Sequence, residues 1–238
     1  MIHRNHFRQL LTALFLVFAL WHIRFAVQPE YLYQAQEPVF FTTFGFFTDF
    51  LSVPGGLTEY ASAFLSQFFI FPWAGALIIT ACIGGVVLLT GFWLDRLQSN
   101  RRDLWLHLIP GMLLVMLHSH YMHPLSMTLG LLAAMAGVAL FALLWEKSVA
   151  MRSIAFVLLA GLIFYAAAGA MLVFAVLAAV SEVGKRRSLK PLITGLSVLV
   201  LAAGIPLLST FAAMLTPKQA YLTHVWTGYR DPVHTWVK

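Results

Sequence analysis

Long apolar runs, separated by short basic segments, constrain the fold of this chain more than any other feature. A helix of about 20 residues crosses the hydrocarbon core of a bilayer, and in lipid only helices and closed barrels satisfy their backbone hydrogen bonds. Because 61% of the residues are hydrophobic and 10% are charged, a soluble domain is excluded. We predict an all-α polytopic transmembrane helix bundle, with six to seven membrane helices and one interfacial amphipathic helix. The apolar runs are 10–27, 73–94, 104–117, 125–145, 153–180 and 192–215.

Basic residues predict the orientation of the bundle. They precede the first run and follow the second, fourth and fifth runs, and the positive-inside rule places such segments in the cytoplasm. The expected location is a bacterial inner (plasma) membrane, with a cytoplasmic N-terminus and a periplasmic C-terminus. These clusters account for the net charge of +6, so nucleic acid is not an expected partner. The residues concerned are Arg4, Arg8, Arg96, Arg101, Arg102, Lys147, Arg152, Lys185, Arg186, Arg187 and Lys190.

The uncharged run 153–180 is longer than one crossing needs. As a single span it would put the basic loop that begins at Lys185 on the opposite side from the other basic segments. We therefore predict two helices that turn around residues 166–170, where four alanines and one glycine allow a turn or a close approach of helices. The alternative is one tilted helix, because long apolar runs can tilt and alanine favours helix.

The connection 28–72 is predicted to be an outer loop that contains the interfacial helix. A Pro54-Gly55-Gly56 turn leads into a helical run over 57–71, which is too short and too polar for a span and suits the interface plane. Its apolar positions, which follow the helical period, are Leu57, Tyr60, Ala61, Phe64, Leu65 and Phe68.

This periodicity predicts which face of the helix is buried. We expect Phe64 and Phe68 to lie against the bundle or in the acyl boundary, and Ser62 and Ser66 to face water. The helix would either only pack the bundle or form the lid of a site on the outer side. The residues expected to line a groove for lipid or substrate are Glu59, Tyr60 and Gln67.

Three acidic residues of the outer loop are the catalytic candidates, namely Glu30, Glu37 and Asp49. Carboxylates beside a membrane can hold a divalent cation or act as a general base, although they are more often ordinary solvated loop residues. Phenylalanines flank Asp49 in the sequence, and such a setting would desolvate its carboxylate and raise its pKa.

Three histidines lie in the segment LHSHYMHP. At 100° per residue, His120 and His123 lie about 60° apart on a helix, while His118 points elsewhere, although a turn before Pro124 could bring all three together. His120 and His123 are therefore the candidate metal ligands. A polar cluster at the interface is the competing interpretation, and we expect no metal site. Cys82 is the single cysteine and cannot form an intrachain disulfide.

Three segments, PGGLTEYASAFLSQFF, LHSHYMHPLSMTLGLL and FYAAAGAMLVFAVLAAV, resemble a bacterial family of uncharacterised multi-pass membrane proteins common in Bacteroidota. The resemblance covers about residues 31–182 and implies a membrane helix bundle, often followed by a further region in longer members. It implies no activity, so it assigns no functional residue. The layout is also distantly similar to that of polytopic glycosyltransferases that use lipid-linked sugars, although a paired-acid motif after the first span is missing.

Residues 1–238 are expected to form a single integral membrane domain, in which 216–238 is an interfacial tail rich in aromatic residues. Two functions remain open. The chain is either a partner-dependent membrane component of the bacterial envelope or a glycosyltransferase-like enzyme that acts on a lipid-linked substrate at the outer face. Membrane lipid and other envelope membrane proteins are the expected partners. Glycine-rich phosphate loops and GxSxG elbows are missing from the sequence, and no cofactor is expected.

Overall fold

The computed structural model of the chain describes residues 2–36, 40–97, 105–120 and 123–185. All regular secondary structure in these ranges is helical, as predicted. The α-helices are α1 (Ile2–His22), α2 (Pro29–Gln36), α3 (Phe44–Leu51), α4 (Gly56–Ser66), α5 (Pro72–Leu97), α6 (Ile109–His118), α7 (Leu125–Ala142), α8 (Val149–Ala167) and α9 (Ala170–Lys185). A π-helix (Ile23–Val27) continues α1, and 3-10 turns occupy Gln67–Ile70 and Leu106–Leu108.

Four helical segments in the described ranges are long and apolar enough to cross a membrane. They are His6–Val27, Pro72–Leu97, Leu125–Leu143 and Val149–Ala167. The shorter apolar segments Leu106–His118 and Ala170–Glu182 pack beside them. The fold is therefore the predicted membrane helix bundle. The predicted last span 192–215, the tail 216–238, the basic residues Arg101, Arg102 and Arg186 to Lys190, and the candidate Glu37 lie outside the described residues.

Side-chain contacts fix the direction of the first three long helices. Arg8, near the start of α1, donates a hydrogen bond to Asp95, near the end of α5, at 2.6 Å. His22 Nε2, at the end of α1, lies 3.1 Å from the hydroxyl of Ser119, directly after α6. Helices α1 and α6 therefore run in the same direction, and α5 runs antiparallel to both.

Two further contacts place the second half of the bundle. The ring of His118, at the end of α6, contacts Thr128, in the first turns of α7. The indole of Trp93 donates a 2.7 Å hydrogen bond to Ser181, which places the end of α9 beside the end of α5. One end of the bundle, the basic end, thus carries Arg8, Asp95, Arg96, Glu146, Lys147, Arg152 and Glu182. The other, the capped end, carries α2, α3 and α4.

The core consists of two apolar clusters that meet along α7. One cluster joins α7, α8 and α9 around Phe141, Phe156 and Phe174, whose rings stack or meet edge to face. The other joins α1, α5 and α6 around Ile79 and Ile83. Glycines on α5 and α7 allow the close helix contacts, since a Cβ at Gly137 would collide with Ile163.

The run 153–180 is a helical hairpin, so the predicted turn is confirmed. Helix α8 ends at Ala167, and the chain reverses through Ala168, whose φ of 42° is unusual for a residue with a side chain. Arg152 and Glu182, at the open end of the hairpin, lie 3.2 Å apart. The open ends of α8 and α9 therefore lie at the same end of the bundle, which rules out the single tilted helix.

The prediction that Ser62 and Ser66 face water is wrong, because both are fully buried. Phe64 and Phe68 are 45% and 41% exposed and do not pack against the bundle, which leaves the acyl boundary of the two positions predicted for them. Helix α4 lies against α7 and α8. Only small side chains allow such a close approach of helices, so the small face packs inward and the aromatic face points outward.

The α3–α4 corner covers the tip of the hairpin. The backbone N–H of Gly55 donates to the carbonyl of Tyr165 at 2.8 Å, and the Tyr165 hydroxyl donates to the carbonyl of Leu51 at 2.7 Å. Gly55 has a φ of 84°, a conformation that favours glycine. The Pro-Gly-Gly sequence thus makes the turn that docks α4 on α8.

Candidate functional site

An aromatic surface covers the outer side of the capped end. Its members are Phe40, Phe41, Phe46, Phe47, Phe50, Tyr60, Phe64 and Phe68. The ring of Tyr60 is at its centre, with centroids 5.0 Å from Phe47 and 5.2 Å from Phe40. Most of the ring pairs are edge to face or tilted, which is the favoured geometry of aromatic contacts.

The aromatic surface is apolar and open on its outer side. Phe41, Phe64 and Phe68 are exposed, as are the neighbouring Phe44 and Phe71. Contiguous exposed apolar patches of this kind mark sites of contact with a membrane or a partner. Tyr60, which we predicted to line a groove, is half-buried within this surface. Glu59 and Gln67 are also half-buried, and the Gln67 amide donates to the carbonyl of Ala63 in the same helix at 3.1 Å.

The acidic candidates are in different environments. Asp49 is exposed, because the neighbouring Phe46 and Phe50 rings turn towards Tyr60 and leave its carboxylate uncovered. The desolvated setting that the sequence suggested for Asp49 is thus not formed. Glu30 is half-buried and lies 3.9 Å from the guanidinium of Arg24. A cation, not a second carboxylate, is therefore the neighbour of Glu30.

Arg24 belongs to the π-helical segment Ile23–Val27. Its guanidinium carbon lies 5.1 Å from the ring centre of Phe25 and 5.5 Å from that of Trp73, within the range of cation–π attraction. The chain leaves this segment through Gln28, which is left-handed with a φ of 54°. Single π-turns are frequent at functional sites, and this one turns Arg24 towards Glu30.

The histidine pair in contact is His118 with His123, not the predicted His120 with His123. The Nε2 atoms of His118 and His123 lie 2.9 and 3.1 Å from the hydroxyl of Thr128, and the two rings meet edge to face at 4.7 Å. His120 is exposed. The prediction assumed a continuous helix, but α6 ends at His118.

In the described part of the chain, no group of three His, Cys, Asp or Glu side chains that could hold a metal ion comes together. Burial lowers the pKa of His123, so its ring is neutral near pH 7. The Thr128 hydroxyl can then accept from one ring and donate to the other, which makes the pair a buried polar clamp between α6 and α7.

Sequence reasoning missed the ion pair of Arg152 and Glu182, whose side chains are 5% and 2% exposed. The Arg152 guanidinium also lies 3.5 Å from the carbonyl of Trp145. A signal was present in the sequence, because the two residues stand at similar distances before and after the turn at Ala168. In an antiparallel hairpin such residues face each other.

The chain matches a family of unknown function (DUF6057) over residues 3–237. No curated protein and no solved structure matches it significantly. The match agrees with the expected resemblance to an uncharacterised family, and it extends beyond the expected residues at both ends.

Proposed function

We propose that this chain, which belongs to the DUF6057 family of unknown function, is a multi-pass protein of the bacterial inner membrane and binds lipid at its outer face. In this proposal the basic end faces the cytoplasm and the capped end lies in the periplasmic leaflet. The protein acts as a partner-dependent component of the envelope, and other envelope membrane proteins are its partners.

This proposal rests mainly on the aromatic side of α4, which points away from the bundle. Ser62, Ala63 and Ser66 are buried against the bundle, which leaves Phe64 and Phe68 for an apolar medium outside the protein. Exposed large apolar side chains on the flanks of the long helices need the same medium. Aromatic rings are favoured where a membrane meets water. The capped end is thus suited to lie among the acyl chains and headgroups of one leaflet.

A glycosyltransferase-like enzyme is the second candidate, because Glu30 and Asp49 both lie at the capped end. An enzyme of this class needs a carboxylate free to act as a base. Exposed Asp49 meets that need better than Glu30, which has Arg24 beside it. If the Asp49→Asn variant stayed folded but gave the same cellular phenotype as deletion of the protein, the enzyme would be favoured. An envelope component tolerates this change and is recovered with a partner after cross-linking.

The orientation can be tested by labelling cysteines from outside the cell. Cys82 is buried, and in a Cys82→Ala background we introduce Ser52→Cys at the capped end or Glu146→Cys at the basic end. Both positions are exposed. We expect a membrane-impermeant maleimide to label residue 52 in intact cells and residue 146 only after the membrane is permeabilised. The reverse pattern would show that the orientation is inverted.

Contact of the aromatic surface with lipid can be tested in vesicles. A polarity-sensitive fluorophore is attached to Phe64→Cys or, as the matched control, to Ser52→Cys in the Cys82→Ala background. We expect lipids brominated on the acyl chain to quench the probe at residue 64 much more than the probe at residue 52, because Phe64 faces the apolar medium. Equal, weak quenching at both positions would place the aromatic surface in water and contradict the proposed lipid contact.

A further inference from the structure

The pair of Arg24 and Glu30 at the capped end is open. Its closest nitrogen and oxygen atoms are 3.9 Å apart, beyond hydrogen-bond distance. Arg24 Nε and Glu30 Oε2 are both enclosed by protein and have no hydrogen-bond partner in the described part of the chain. Buried polar atoms are almost always satisfied. Arg152 Nε and Glu182 Oε1 also have no partner there, but those side chains are 5% and 2% exposed, whereas the Arg24 and Glu30 side chains are 21% and 33% exposed, so a ligand from outside the bundle can reach the Arg24–Glu30 pair.

A second ion pair of the same chain provides the comparison. The side chains of Arg8 and Asp95, at the basic end, are 23% and 33% exposed, and those of Arg24 and Glu30 are 21% and 33% exposed. Arg8 and Asp95 nevertheless close to 2.6 Å. Exposure to solvent therefore does not explain why the Arg24–Glu30 pair stays open.

The surroundings hold Arg24 in place and leave an apolar approach to it. The rings of Phe25 and Trp73 flank its guanidinium and contact each other edge to face at 6.0 Å. Phe25, Trp73 and the neighbouring Trp21 and Leu77 are exposed on the flank of the bundle. A ligand with apolar chains can lie along this flank while its polar head reaches the ion pair.

We propose that the Arg24–Glu30 pair binds the headgroup of phosphatidylethanolamine. The guanidinium donates to the lipid phosphate, and the Glu30 carboxylate accepts from the primary ammonium. A headgroup with one anion and one cation satisfies both open partners without adding net charge to the site. Phosphatidylcholine carries no N–H on its cation, and phosphatidylglycerol carries no cation. This inference rests on the proposed outer-leaflet contact of the capped end.

The test uses the full chain, purified in mild detergent and incubated with equimolar phosphatidylethanolamine, phosphatidylcholine and phosphatidylglycerol of the same acyl chains. Native mass spectrometry then measures the lipid that stays bound. We expect the wild-type protein to retain phosphatidylethanolamine about tenfold over either competitor, as one charge-assisted hydrogen bond predicts. Equal retention of the three lipids, or a preference for phosphatidylglycerol, would overturn the proposal without any variant.

Variants then assign the preference to the pair. In Glu30→Gln, the ratio of bound phosphatidylethanolamine to bound phosphatidylcholine should fall close to one. Arg24→Gln should reduce the binding of all three lipids at this site. The matched controls Asp95→Asn and Arg8→Gln, in the closed pair, should keep the wild-type preference. A preference that survives Glu30→Gln would overturn the assignment. Fluorophore quenching at residue 64 is independent of headgroup, so loss of selectivity with intact quenching refutes this site alone, and loss of quenching refutes the proposed lipid contact.

Discussion

Replacing Glu182 by alanine should destabilise the folded bundle by about 3–5 kcal/mol, the usual cost of leaving the partner of a buried ion pair uncompensated. The side chain of Arg152 is 5% exposed, and its nearest anion in the described part of the chain is Glu182 at 3.2 Å. After the substitution the guanidinium would keep, of its partners among the described residues, the carbonyl of Trp145 at 3.5 Å. The measurement is the free energy of unfolding of the purified protein in mild detergent, from denaturant titration.

The Arg8–Asp95 pair is the control for this experiment. Because both of its side chains are partly exposed, Asp95→Ala should cost only about 0.2–1 kcal/mol. The double variant Arg152→Met with Glu182→Leu removes both buried charges and should recover most of the stability lost in Glu182→Ala. If Glu182→Ala cost no more than Asp95→Ala, the hairpin ends would not be buried together.

A second large effect is expected from Gly56→Ala at the start of α4. The new Cβ would collide with the backbone carbonyl of Phe50, and backbone cannot move aside as the end of a side chain can. Overpacking of this kind costs about 1–3 kcal/mol or more. The α3–α4 corner should separate, so amides of residues 44–66 should lose protection from hydrogen exchange while those of α5 keep theirs.

Gly161→Ala in α8 is the matched control, because nothing lies within 4 Å of its added Cβ. Alanine is favoured over glycine in a helix by about 1 kcal/mol, so this variant should be slightly stabilised. Unchanged exchange in the Gly56→Ala protein would show that α4 does not pack on α3 as closely as described.

The helical hairpin could be predicted because its evidence lies in one segment of the sequence. The length of the run 153–180 and the basic residue Lys185 after it both favour two helices over one. The burial of Arg152 and Glu182 could not be predicted by counting charges, because each residue looks like the ordinary polar end of an apolar run. Their similar distances from Ala168 along the chain relate them to each other.

The buried face of α4 was predicted wrongly for a physical reason. Helical periodicity separates large apolar residues from small polar ones, and in water the large apolar face turns inward. If α4 lies in an apolar medium, as proposed, this driving force is absent, and close packing selects the small side chains. Ser62 and Ser66 therefore lie inside, and Phe64 lies outside.

The histidine pair shows a limit of reasoning from residue spacing. The 100° rule relates His120 to His123 only while the helix continues, and α6 ends two residues before His120. His118 and His123 both contact Thr128 because α7 begins close to the end of α6. The spacing of the histidines does not predict where α7 begins.

The buried pair at the open end of the hairpin has a consequence for biosynthesis. During translation α8 is complete before Glu182 has been made, so Arg152 then has no carboxylate of the hairpin to neutralise it. A guanidinium buried between helices without its carboxylate is costly, which disfavours packing of α8 into the bundle as a separate helix. If the bundle is inserted as proposed, we expect α8 to enter the lipid only together with α9, as one helical hairpin.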